Sequence, residues 1–486
     1  MERAQTLGQL KASGYRPRSV RQELRENLAA ALRAGRDPFP GILGYEHSVV
    51  PQLENAILAG HDFILLGLRG QAKTRILRSL SALLDDAVPV VPGTALNEDP
   101  LAPLTESTRR RIEAEGDGLA ITWMPRADRY REKLATPDVT VADLIGDVDP
   151  IKAATRGLAL DDPEVIQYGL IPRTNRGIFA VNELPDLQAR IQVALLNLLE
   201  EGDVQIRSFP VRLPLDMLLV FSANPEDYTN RGSIITPLRD RIASQILTHY
   251  PRCREVARAI TDQEAWIERE GPVAVTIPEA LRAATEEVAF VARESPWVDQ
   301  NSGVSARLGI ALLEAVWSNA ERRALRSGAQ HAVVRPSDLL QAAPAITGKV
   351  ELVYEGEREG AQKVARSLLG GALGRAFETV WQARFPDVEE ADEVPCFEPI
   401  LGWFAAGNQV DLTDELTDAD LQKRLSAVPG LAAAAHELLP GETDAGSAME
   451  FVLEGLHQAS LLSKQELEGG QVFRDSFQDM VRTFHG

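Results

Sequence analysis

Cysteine is nearly missing from this chain. Only Cys253 and Cys396 occur in 486 residues. They are too far apart for a metal-ligand spacing and too few for a disulfide framework, which fits a reducing interior and two ordinary thiols. Long apolar runs are missing too, and none approaches the roughly 20 residues needed to span a bilayer. The opening stretch MERAQTLGQLKASGYRPRSV is polar and holds no apolar core of signal-peptide length. These absences lead us to expect a soluble, cytoplasmic protein. Basic charge is also short, with a net charge of -20. That argues against a surface coated by nucleic acid, because phosphate binding relies on clustered Lys and Arg, although a local basic channel stays open. No internal repeat and no long low-complexity tract is visible. What remains is a globular composition, 44% hydrophobic and 25% charged, over a length that suggests roughly two to four domains.

SVRQELRENLAAALRAG reads as a helix capped by Ser19, with Gln22 three residues on and Val20, Leu24, Leu28 and Leu32 on one face. RDPFPG breaks it, and SVVPQLENAILAG is a second helix ending at Gly60. HDFILLG is a short buried strand, and KTRILRSLSALL is a helix after it. Residues 85–118 are rich in Pro, Asp and Glu and read as an insertion, followed by the strand LAITWM. RGIFAVNEL is a strand, PDLQARIQVALLNLLEEG a helix, DVQIRSFPVRL a hairpin and DMLLVFSANP another strand. Strands separated by helices predict a parallel sheet with helical crossovers, and such sheets hold ligands at the carboxyl ends of their strands. GLRGQAKT, NE and SAN all fall at predicted strand ends. Beyond residue 250 the pattern is helical, and from 349 onward it is helical and acidic.

The stretch Gly67-Leu68-Arg69-Gly70-Gln71-Ala72-Lys73-Thr74 has the outline of a phosphate-binding loop, with Arg75 continuing into the helix. Phosphate needs several backbone N–H donors converging on one point, supplied by a glycine-tolerant turn and a helix N-terminus. Lys73 would reach the outer phosphates and Thr74 would place its hydroxyl on Mg²⁺. Ala72 stands where glycine is usual, which is tolerable if residue 72 adopts a helical conformation with φ below zero. A plain strand-turn-helix competes with this reading. Glu183 could polarise an attacking water, while Asn182 could hold Mg²⁺ through its water shell with weaker affinity than aspartate. A helix-capping pair is the alternative. Asn224 could donate to a γ-phosphate or be a turn residue before proline. Arg239 and Arg241 could reach a neighbour's nucleotide or be surface arginines. Arg307, in the first turn of a helix, opposes the helix dipole and could be a lid contact.

In this order the residues resemble the AAA+ ATPases, in the branch of magnesium-chelatase ATPase subunits and MoxR-type proteins. GYEHSVVPQLENAILAGHDFILLGLRGQAKT, LIGDVDP, GLIPRTNRGIFAVNELPDLQARIQVALLNLLEEGDVQIR, FSANPEDY and PLRDRI carry the likeness, over about residues 41–348. The resemblance implies an α/β fold: a P-loop parallel-sheet domain, then a smaller all-helical lid and a helical C-terminal extension. The expected borders are 1–40 for an N-terminal helical segment, 41–250 for the nucleotide-binding domain, 251–348 for the lid and 349–486 for the acidic extension. It implies Walker A residues Gly67, Gly70, Lys73 and Thr74, and a Walker B pair Asn182 and Glu183 that departs from the usual aspartate. It further implies Asn224 as sensor 1, Arg241 or alternately Arg239 as arginine finger, Arg307 as sensor 2, and Tyr45 to Val50 against the adenine. ATP and Mg²⁺ are the implied cofactors. Ring hexamers, and a partner with a von Willebrand factor A domain, are the implied assemblies. The expected activity is an ATPase motor that remodels or activates a partner protein. A magnesium-chelatase motor of tetrapyrrole synthesis, or a nucleotide-gated scaffold slowed by Asn182, are the alternatives. A DNA translocase fits the charge poorly.

Overall fold

A strand flanked by helices on both faces must be apolar on both, and Phe63–Leu66 (β1) is. The computed structural model describes residues 3–157, 165–206, 212–225, 232–413, 416–442, 444–467 and 469–476. The chain divides into two compact units, Met1–His249 and Tyr250–Gly486.

In the first unit, β1 belongs to a five-stranded sheet with Tyr130–Leu134 (β2), Gly177–Asn182 (β3), Met217–Ala223 (β4) and Ser244–Leu247 (β5). The order is β5-β1-β4-β3-β2 and every pair is parallel. Phe63 and Leu65 face one apolar core with Val20, Leu24, Leu28 and Leu53. Ile64 faces a second core with Phe179, Phe221 and Ile191. The helices Val20–Arg33 (α1) and Val49–Ala59 (α2) cover the first face, and α2 stops at left-handed Gly60. Ser19 and Gln22 form the capping box at the start of α1, as the spacing predicts. The predicted apolar stripe holds for Val20, Leu24 and Leu28, but Leu32 is exposed.

Two strand readings need correction. LAITWM does not join the parallel sheet: the strand Thr122–Pro125, which overlaps its end, pairs antiparallel with Ala87–Val90 inside the predicted insertion. The edge strand β2 is YREKL, which carries three charged residues and escaped the apolar pattern. An edge strand with one flank open tolerates such residues. The predicted hairpin pairs Asp203–Gln205 with Arg212–Pro214, while its residues 207–211 lie outside the described residues, as do 226–228 of FSANPEDY.

The N-terminal segment is locked to the sheet by charge. Arg129 is almost fully buried and donates from both terminal nitrogens to Glu23 on α1, each at 2.6 Å, and from Nε to the Arg176 carbonyl at 2.8 Å. Asp62, just before β1, accepts from Leu219 N–H at 2.8 Å and from Arg21 at 2.8 Å. Burial raises its pKa and Arg21 opposes that rise.

The second unit is not purely helical. Ala274–Thr276 and His331–Val333 form a parallel pair, and Val410–Thr413, Leu462–Leu467 and Gly470–Asp475 form a three-stranded antiparallel sheet. Strands such as LSKQEL mix polar and charged residues and do not show against a helical background. The long helices Glu279–Glu294, Arg307–Ser327, Ala361–Arg384 and Ala445–Gln458 share one apolar core, which runs without a break across position 348. Within it Glu450 is buried, accepting from Ser337 N–H at 3.0 Å.

Two expected outcomes follow. Glu23→Ala should leave the Arg129 guanidinium buried without its partner and lower stability by about 3–5 kcal/mol, read from denaturant midpoints. Burial pushes the Glu450 carboxyl up from 4.5 to about 7, with Arg335 opposing. The folded state therefore holds that proton more tightly. Its contribution is fully present below pH 4.5 and lost as pH rises toward 7. Glu450→Gln should flatten this slope and raise stability at pH 8 by roughly 3 kcal/mol, measured by urea unfolding of both proteins at pH 5 and pH 8.

Candidate functional site

β1 ends at Leu66, and the loop from Gly67 leads into the helix Lys73–Ser79 (α3). Register sets what stands beside it. Leu66 pairs with Ala223 at the end of β4, and Phe221 pairs with Val181 in β3. Gly67 N–H donates to the Ala223 carbonyl at 3.2 Å. The loop, Asn182-Glu183 and Asn224 are thus brought to the carboxyl ends of neighbouring parallel strands.

The loop has no room to spare at its base. A Cβ on Gly67 would lie 1.9 Å from Thr248 Oγ1 and 2.2 Å from Gln71 Oε1. Those two groups are themselves bonded, Thr248 Oγ1 donating to Gln71 Oε1 at 2.7 Å. Thr248 follows β5 and also anchors through its N–H to the Leu66 carbonyl at 2.8 Å. On the other side, the Tyr45 hydroxyl donates to the Gln71 carbonyl at 3.0 Å and to the His249 carbonyl at 2.7 Å. Its ring meets the His249 ring edge-on, with centroids 4.9 Å apart. Tyr45 is buried, so in this structure it braces the loop backbone.

The expectation of a helical φ at Ala72 is not met. Ala72 has φ 56° and ψ 15°, left-handed, and Gly70 has φ 72°. The loop needs a reversal at this point before α3 can begin, and Ala72 already accepts the first helical bond, from Ile76 N–H at 2.9 Å. Left-handed turns of this kind form anion-binding concavities, which glycine adopts without strain. Ala72 is exposed, so its methyl meets no wall and the strain is conformational. Lys73 is 7% exposed, and its ammonium donates to the carbonyls of Gly67 and, at 3.0 Å, Leu68. The charge therefore sits inside the curl of the loop. Thr74, Leu68 and Arg69 are half-buried there, and Arg75 is exposed on α3.

At the end of β3, Asn182 is buried and Glu183 half-buried. Ser222 joins them: its Oγ donates to Asn182 Oδ1 at 3.2 Å and accepts from Glu183 N–H at 3.2 Å. Glu183 has φ 57°, also left-handed. This turn takes the carboxylate out of the alternation of β3. Ser222, Thr248 and Gln71 support the site and were not singled out for that role by sequence. All lie within a few residues of a strand end, the one signal that could have found them.

A divalent cation fits the donors only in part. The Thr74 hydroxyl and the Asn182 amide oxygen are hard oxygen ligands suited to Mg²⁺, which keeps several waters and binds phosphate oxygens. Among the described residues no group of three His, Cys, Asp or Glu could hold a metal alone. The predicted arginines stand on helices and not at these strand ends. Arg241 is held by Glu200, through Nη2 at 2.6 Å and Nε at 2.8 Å, and Arg239 is exposed on the same helix, Thr236–Arg241. Asn224 is half-buried just past β4. Arg307 belongs to the second unit, exposed at the start of the helix Arg307–Ser327.

The strain at Ala72 has a measurable consequence. Ala72→Gly should stabilise the chain by about 1 kcal/mol, read as a shift in the urea midpoint, because glycine accepts a left-handed φ freely. Loss of stability in that variant would contradict the left-handed turn.

No family model matches the chain. The magnesium-chelatase 38 kDa subunit of Cereibacter sphaeroides is 29% identical over 234 residues, 47% of this chain and 64% of that protein. The subunit of the same name from Rhodobacter capsulatus is 24% identical over 263 residues, 52% of this chain and 69% of its own length. The chain thus spans less than two thirds of the first of these relatives. Among solved structures, an ATPase of Cytophaga hutchinsonii superposes with a TM-score of 0.30 at 17% identity, over 74% of this chain and 97% of that one. The superposition is loose, and the fold is defined instead by the parallel β5-β1-β4-β3-β2 order with a phosphate-type loop after β1. Among the described residues no helix is long and apolar enough to cross a membrane. Strand order and loop agree with the expected P-loop parallel-sheet fold, and in sequence the chain is similar to the magnesium-chelatase 38 kDa subunits.

Proposed function

We propose that the chain binds and hydrolyses ATP as a ring motor, and that it remodels or activates a partner protein. The observation that carries this is the meeting, at neighbouring strand ends, of a buried lysine curled into a glycine loop with Asn182-Glu183 and Asn224. Gly67 to Thr74, with Arg75, would hold the phosphates, and the segment from Tyr45 the adenine side. Thr74 and Asn182 would hold Mg²⁺, which when bound draws charge from the phosphate oxygens. Glu183 would take a proton from the attacking water and Asn224 would orient it. Arg241, or the exposed Arg239, would serve a neighbouring subunit's nucleotide, and Arg241 must first leave Glu200 to do so. Arg307 would add a lid contact. The assembly is read as a hexamer, working in the cytoplasm with a partner bearing a von Willebrand factor A domain. The working divisions are 41–250 for nucleotide and, within one continuously packed second unit, 251–348 for the lid and 349–486 for the extension.

Asn182 supports a second reading, a scaffold that holds ATP and turns it over slowly. Its neutral amide weakens both metal affinity and the local field relative to aspartate. The named relatives support a third, a magnesium-chelatase motor subunit.

ATP turnover with Mg²⁺ separates the first two. The motor reading expects turnover in the unaltered chain that falls by about 10²-fold or more in Lys73→Ala, as for other groups that stabilise developing charge. Tight ATP binding with negligible turnover, restored in Asn182→Asp, would establish the scaffold. Absence of ATP binding would overturn both.

A further inference from the structure

The second unit carries a basic groove in an otherwise acidic chain. The groove has a volume of about 1010 Å³ and is lined by Arg322, Arg323, Arg326 and Arg366. Arg322, Arg323 and Arg326 recur at helical spacing along Arg307–Ser327, and Arg366 comes from Ala361–Arg384. Asp338 is the one carboxylate lining it among the described residues.

The four arginines are not equivalent. Arg323 is buried and committed to the fold, with Nη2 to Asp338 at 2.9 Å and Nη1 to Asp418 at 2.7 Å. It forms a fixed floor. Arg322 is exposed and donates to the neutral Gln341 amide oxygen at 2.7 Å. Arg326 is exposed on the next turn of the same helix. Arg366 is paired with Glu466, but both are about half exposed, and such surface pairs are weak enough to exchange for another carboxylate. Guanidinium groups bind carboxylates through paired hydrogen bonds. Thr417 and Gln341 add neutral hydrogen-bonding groups along the wall.

From this we infer that the groove binds an acidic peptide segment of a partner protein. Its volume lies at the upper end for ligand clefts, roughly 1,000 Å³, and far exceeds what one small anion fills. A nucleic acid is disfavoured, because among the described residues no aromatic ring lines the groove to stack a base.

The test uses the full chain and a fluorescein-labelled oligo-glutamate peptide, followed by anisotropy without nucleotide. It therefore stands or falls apart from the ATPase reading. The expected result is saturable binding that weakens with salt. It should weaken by at least about tenfold in Arg322→Gln/Arg326→Gln, the loss of one charge-assisted hydrogen bond. Arg366→Gln should weaken it independently, while Arg252→Gln/Arg358→Gln, exposed and outside the groove, should leave it unchanged. The inference is overturned by no binding, by equal loss in both double variants, or by a single-stranded oligonucleotide that binds the groove more tightly than the peptide.

Discussion

The candidate site depends on the register of parallel strands. β1, β4 and β3 are buried on both faces, so a slip of one residue would drive Phe63 and Leu65 into the wrong core and Ile64 out of its own. Packing on two sides therefore fixes the strands at the one alignment that sets Leu66 beside Ala223 and Val181 beside Phe221. The chemistry at their ends inherits that alignment. The loop is then clamped from two directions, by Thr248 on Gln71 and by Tyr45 on the Gln71 carbonyl. A single residue, Gln71, thus fixes the loop through both its side-chain amide and its backbone carbonyl.

Much of this was legible because the central strands are short apolar runs that stop at polar clusters. HDFILLG, RGIFAVNEL and DMLLVFSANP all appear as strands where expected. β2 was not legible, since YREKL has no apolar alternation and is a strand only because β3 offers it a parallel partner. LAITWM was legible as a strand but not in its pairing, because pairing is a tertiary choice that local pattern does not encode. The small sheet of the second unit was not legible as strands, because segments such as LSKQEL carry too few apolar residues to show a pattern. At the site, residue identities were readable, whereas backbone conformation was not: nothing in the string of letters announces a left-handed alanine.

Two residues at the site, Ala72 and Glu183, are held left-handed without being glycine. Each such residue costs of order 1–3 kcal/mol, and a fold keeps them only where surrounding contacts over-determine them. Here the contacts are visible. Ala72 is fixed by the helix it starts, and Glu183 by the Ser222 hydroxyl that also holds Asn182. Strain at the ends of two strands of one sheet, each part held by its own brace, is the pattern of a preorganised site.

The unbroken apolar core across position 348 has a mechanical meaning. Interiors packed at crystal density are stiff and transmit strain instead of absorbing it. Helices on either side of that position therefore form one mechanical body with no hinge between them, and a load applied to one of them is felt by the others.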